Sequence, residues 1–76
     1  MIVRLINDTD EPVTLQRRVE FRQSGRTPMA CGEMTIRPGG HISGVVRKDS
    51  EETWTLFTPM DVVIDVPKRA FKEFKL

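Results

Sequence analysis

At 76 residues and a net charge of +1, the chain reads as one domain with a small core, because folding at this size buries only about 60% of the surface an unfolded chain exposes. Cys31 and His41 are the sole residues of their kinds, which excludes an internal disulfide and a zinc held by four cysteines and histidines, so a partner or self-association gains weight as a source of stability. No apolar run approaches the roughly 18 residues needed to span a bilayer, and Arg4 interrupts the apolar start; the chain is therefore expected in a reducing, cytoplasmic setting with no membrane partner.

Met1 to Ile6 is apolar and largely β-branched apart from Arg4, a short first strand closed by Asn7, Asp8, Asp10 and Pro12. Val13 to Arg22 follows with near-perfect alternation. Val13, Leu15, Val19 and Phe21 fall on one side, and Thr14, Gln16, Arg18, Glu20 and Arg22 on the other. A helix capped by Thr9 or Asp10 competes, but a two-residue period accounts for more of the apolar positions, and Val, Thr and Phe favour strands. Residues 23–28 are a turn or loop.

The chain is extended again from Met29, with Gly32 marking a bulge or break, and alternation resumes over Glu33 to Arg37. Pro38-Gly39 is the strongest turn signal: proline presets the second turn position, and glycine accepts the positive φ that a type II turn needs at the third. Strands follow over His41 to Arg47 and Thr53 to Phe57, joined by a turn from Lys48 to Glu52. After Pro59, Met60, Val62, Ile64 and Val66 share a face, and this strand is the expected centre of the sheet. Pro67 suits the first position of a helix, and Phe71 and Phe74, three apart, suit one side of a short helix over 67–76. The expected fold is a small, mostly antiparallel barrel or sandwich of about six strands with a short C-terminal helix.

Catalytic chemistry is poorly supplied. A hairpin at Pro38-Gly39-Gly40 could bring Cys31 near His41, yet a core or strand-end cysteine and a hairpin-tip histidine are the simpler readings, with no third group to orient a base. Asp61 and Asp65 on one strand stand about 13 Å apart by strand rise, too far for a glycosidase pair. Asp8, Asp10 and Glu11 lack the spacing of a calcium loop. No enzyme, cofactor or metal is expected.

The basic residues point to contacts instead. Arg18 and Arg22 project from the wet face of the second strand, Arg26 lies in the next loop, and Arg47 and Lys48 stand at another hairpin end. Arginine forks suit carboxylates and phosphates, but base stacking needs exposed aromatics, and those are scarce unless Trp54 and Phe57 divide between core and surface. Twelve basic against eleven acidic residues also lack the excess of a nucleic-acid coat. Arg17 is the one fault in the alternation, on the otherwise apolar side. It must pair, snorkel, mark a bulge or meet a partner, since an unpaired buried cation is costly. It is the first candidate for a contact residue, because arginine is enriched at interfaces. Phe71 and Phe74 either dock on a partner or fold back to close the sheet, the second being favoured.

The expected function is a non-enzymatic protein-binding module, an accessory factor or inhibitor acting through a sheet face or edge. A phage or mobile-element origin is suggested by size alone. The alternatives are a nucleic-acid-binding barrel using Arg18, Arg22, Arg26, Arg47 and Lys48, and a homo-oligomeric structural subunit paired through its edge strands.

Overall fold

The alternating segments do form strands. The computed structural model describes residues 2–19, 29–58 and 62–75, which hold β1 (Ile2–Asn7), β2 (Val13–Val19), β3 (Met29–Ile36), β4 (His41–Asp49), β5 (Thr53–Thr58), β6 (Val62–Pro67) and β7 (Phe71–Lys75). All pair antiparallel in one sheet of order β3-β2-β6-β5-β4-β1-β7. Of the expected strands and turns, Glu20 to Pro28 (with Phe21, Arg22 and Arg26), Pro59 to Asp61, Met1 and Leu76 lie outside the described residues.

Three expectations are corrected. Among the described residues the sheet is open, ending at β3 and β7, so it is neither a closed barrel nor two separate sheets. Its middle strand is β5, with β6 one place over. The C-terminal segment is a strand and not a helix: residues 68–70 turn, with Ala70 N–H donating to Pro67 O, and β7 then runs back along β1. The pairing groups along the edge of β1 decide this. A five-residue helix is marginal in isolation, whereas a strand there satisfies both backbones and places Phe71 inward, 5% exposed, and Phe74 outward, 44% exposed.

One face of the sheet encloses the core. Val3, Leu5, Leu15, Ile36, Ile42, Trp54, Leu56, Ile64, Val66, Ala70 and Phe71 form a single buried cluster. β3 and β1 are separated by four strands in the sheet, yet a side chain of β1 hydrogen-bonds the backbone of β3, so the sheet curls back on itself.

Asn7 fastens the seam. Its Nδ2 donates to Ile36 O at 2.8 Å and Glu11 O at 2.9 Å, while its Oδ1 accepts from Thr9 N at 3.0 Å and Thr9 Oγ1 at 2.6 Å. Its backbone exchanges bonds with the turn between β3 and β4, Asn7 N to Gly40 O and Gly39 N to Asn7 O. That turn has the expected chemistry: Gly40 N donates to Arg37 O at 2.8 Å, and Gly39 has φ +77°. It joins strands that are not sheet neighbours, so it is a crossing between the two ends of the curled sheet and not a hairpin.

Nothing lies within 4 Å of a Cβ placed on Gly39, so alanine there meets only backbone strain. Gly39→Ala is expected to lower stability by about 1–2 kcal/mol, read by urea denaturation. A loss below about 0.3 kcal/mol would show that the turn adopts a second geometry at no cost.

Candidate docking face

The outer face of the sheet carries a cross-strand row. Partners in register share a face, and the register runs Ile2 to Val45, Val45 to Phe57, Phe57 to Val63 and Val63 to Arg18. Ile2 is 55% exposed and Val45 41%. Val63 is buried but stands outside the core cluster; it forms part of the floor of a groove on the opposite side. Ile2 and Val45, neighbouring apolar side chains open to water, are the kind of surface that ordinarily meets another molecule.

The groove has a volume of about 690 Å³ and is lined by Arg18, Arg47, Lys48, Ser50, Thr53, Thr55, Val63 and Asp65. Its three cations come from β2 and β4, two strands apart across β6 and β5. Arg18 reaches over Val63 to Asp65, with Nη2 to Oδ2 at 2.5 Å, and Asp65 Oδ1 accepts from Thr55 Oγ1 at 3.1 Å. Both partners are well solvated, so the pair adds only about 0.2–1 kcal/mol; its effect is to hold the fork in place. The guanidinium of Arg47 lies 4.2 Å from the centre of the Phe57 ring, a cation-π contact that likewise orients it.

A bulge brings Lys48 to the same place. Val46 pairs with Leu56 and Lys48 with Thr55, so Arg47 is an extra residue in β4. In regular register Arg47 would oppose Thr55, and Lys48 would oppose Trp54 and point at the core. Three cations against one carboxylate leave the groove lining at +2. A second groove, of about 660 Å³, sets Glu51 and Glu52 against Lys68 and Arg69 and is charge-balanced, so it offers no comparable attraction for an anion.

Sequence reasoning named Arg18, Arg47 and Lys48 without a way to join them, and the sheet order does so. It did not find the row of Ile2, Val45 and Val63, which depends on register between distant strands. The one legible signal was that Trp54 and Phe57 differ by an odd number of positions and must face opposite ways. Trp54 is indeed buried and Phe57 lies on the outer face.

Arg17 stands apart, paired with core-facing Ile64. Phe71 belongs to the core and not to a contact surface, while Phe74 is exposed on β7, with Lys72 Nζ 5.9 Å from its ring centre. Arg22 and Arg26 cannot be placed, lying outside the described residues. Cys31 and His41 sit on β3 and β4, which are not neighbours in the sheet, so the two are not cross-strand partners.

Among the described residues no group of three or more His, Cys, Asp or Glu is placed to hold a metal, and no helix is long and apolar enough to cross a membrane. Comparison with known protein families, with curated proteins and with solved structures found no match to this chain.

Proposed function

We propose that the protein is a non-catalytic binding module whose outer sheet face docks an acidic protein partner. The observation that carries this is the convergence of Arg18, Arg47 and Lys48 in one groove at the end of an apolar row. Apolar centre, arginine-rich border and two pre-oriented guanidinium forks match the anatomy of protein interfaces. Carboxylates suit the forks, and a +2 groove steers an acidic partner toward them. An accessory factor or inhibitor needs no more than such a face. Nucleic acid is the second reading, favoured by the stacked Arg47 and Phe57, since an aromatic beside cations is what single strands use.

Lysate of the native host, passed over the immobilised protein with and without nuclease, separates the two. The expected result is a protein retained through nuclease treatment and lost from Val45→Asp, which sets a carboxylate in the middle of the row at an exposed position. Retention that nuclease abolishes favours the second reading. Equal retention by wild type and Val45→Asp would reject the outer face altogether.

A further inference from the structure

Arg17 is at odds with everything around it. It lies on the core side of β2, half-buried, and its Nε is sealed from water with no hydrogen-bond partner. No carboxylate among the described residues pairs with it; the acids that make ion pairs there serve Arg18 and Lys68. The strand opposite is built around it. Gln16 pairs with Glu33 and Arg18 with Ala30, so Cys31 and Gly32 together face Arg17 alone, a bulge in β3. Gly32 has φ +114°, and Nη2 of Arg17 lies 3.2 Å from the place its Cβ would take. The guanidinium therefore lies against Gly32 of β3, which is the outermost described strand on that side.

The two outermost described strands differ in character. β7 carries Lys72, Glu73 and Lys75 among its five residues, a charged edge of the kind that discourages pairing. β3 carries one charge in eight residues, Glu33, and Glu33 pairs with Gln16 on the outer face, away from Arg17. An edge strand low in charge, with an unsatisfied cation beneath it, suits an incoming strand that brings a carboxylate.

We propose that Arg17 and the outer edge of β3 form a second binding site, which takes an extended acidic segment of a partner protein as an added strand, one carboxylate closing on Arg17. Backbone bonds along Glu33 to Thr35 supply the pairing, Ile36 O being held by Asn7, and a charge-assisted bond to the guanidinium supplies the preference for acid. The site is separate from the outer face and does not depend on it.

The test uses an end-blocked peptide of alternating Glu and Val, and its counterpart with Gln for Glu, titrated into the ¹⁵N-labelled full chain. The expected result is that the Glu peptide shifts the Arg17 Nε–H resonance together with the β3 amides and binds about 10-fold more tightly than the Gln peptide, a difference of about 1.4 kcal/mol. In Arg17→Met that preference is expected to fall below about 2-fold. Val45→Asp, which disables the outer face, is expected to leave it unchanged. No movement of the Nε–H at millimolar peptide, or an undiminished Glu preference in Arg17→Met, would overturn the proposal. The wild-type readings decide the matter even if methionine at this position prevents folding.

Discussion

Asn7→Ala is expected to cost about 3–6 kcal/mol of stability, more than any surface change in the molecule. Asn7 is 2% exposed and makes four side-chain hydrogen bonds. Its Nδ2 donates to the buried carbonyl of Ile36, 29 residues away, and alanine removes that donor from a buried acceptor, at about 1–3 kcal/mol. The remaining bonds add about 0.5–1.5 kcal/mol each. A chain of 76 residues has a total stability on the order of 4–11 kcal/mol, so the variant should be largely or marginally unfolded in water.

Asn7→Asp sharpens the test. It keeps the shape and the bonds from Thr9 but presents a carboxylate, with no donor, to the carbonyls of Ile36 and Glu11. The neutral acid is favoured in the folded state, so the folded chain holds its proton more tightly than the unfolded one. Stability of this variant then rises as pH falls through the carboxylate range and is lost again toward neutrality. Urea melts of both variants at neutral and mildly acid pH read the effect. A loss below 1 kcal/mol for Asn7→Ala would show that backbone bonds alone hold the seam between β1, β3 and the turn at Gly39.

What the chain disclosed in advance follows from which interactions are local. The alternation from Val13 to Val19 and the Pro38-Gly39 turn are written in neighbouring residues, and both appear as expected. The fault at Arg17 was equally legible, and so was Gly32 as a bulge; that the two face each other across β2 and β3 required the register.

The tail was misread because Phe71 and Phe74 fit a helical side, and nothing local reveals that β1 has an open edge at hand. Asn7 read as the end of a strand. Asn-Asp-Thr hints at a side-chain turn with Thr9, but not at Ile36. The groove was half legible: its cations could be named, but neither their convergence nor the bulge that turns Lys48 outward is a property of any single segment.

Reversing charge at that bulge is the second large effect. In Arg47→Glu/Lys48→Glu the groove lining changes from +2 to −2, and the affinity for an acidic partner is expected to fall about 100-fold or more, within the 2–5 kcal/mol typical of lost or inverted interfacial charge pairs. The fold should survive. Both residues are exposed, and the contact of Arg47 with Phe57 contributes about 0.5–1 kcal/mol at such a site.

Salt separates the two halves of the face. Loss through charge reversal should shrink as ionic strength rises, because screening removes the attraction from the wild type and the repulsion from the variant alike. Loss through Val45→Asp should persist at high salt, since it disrupts the apolar row. Titration calorimetry with the captured partner at about 50 and 300 mM salt, a range over which screening deepens markedly, measures both. A drop of less than 5-fold for the double reversal would separate the groove from binding and leave the apolar row to act alone. A steep salt dependence shared with a single-stranded oligonucleotide would instead assign the same three cations to phosphates.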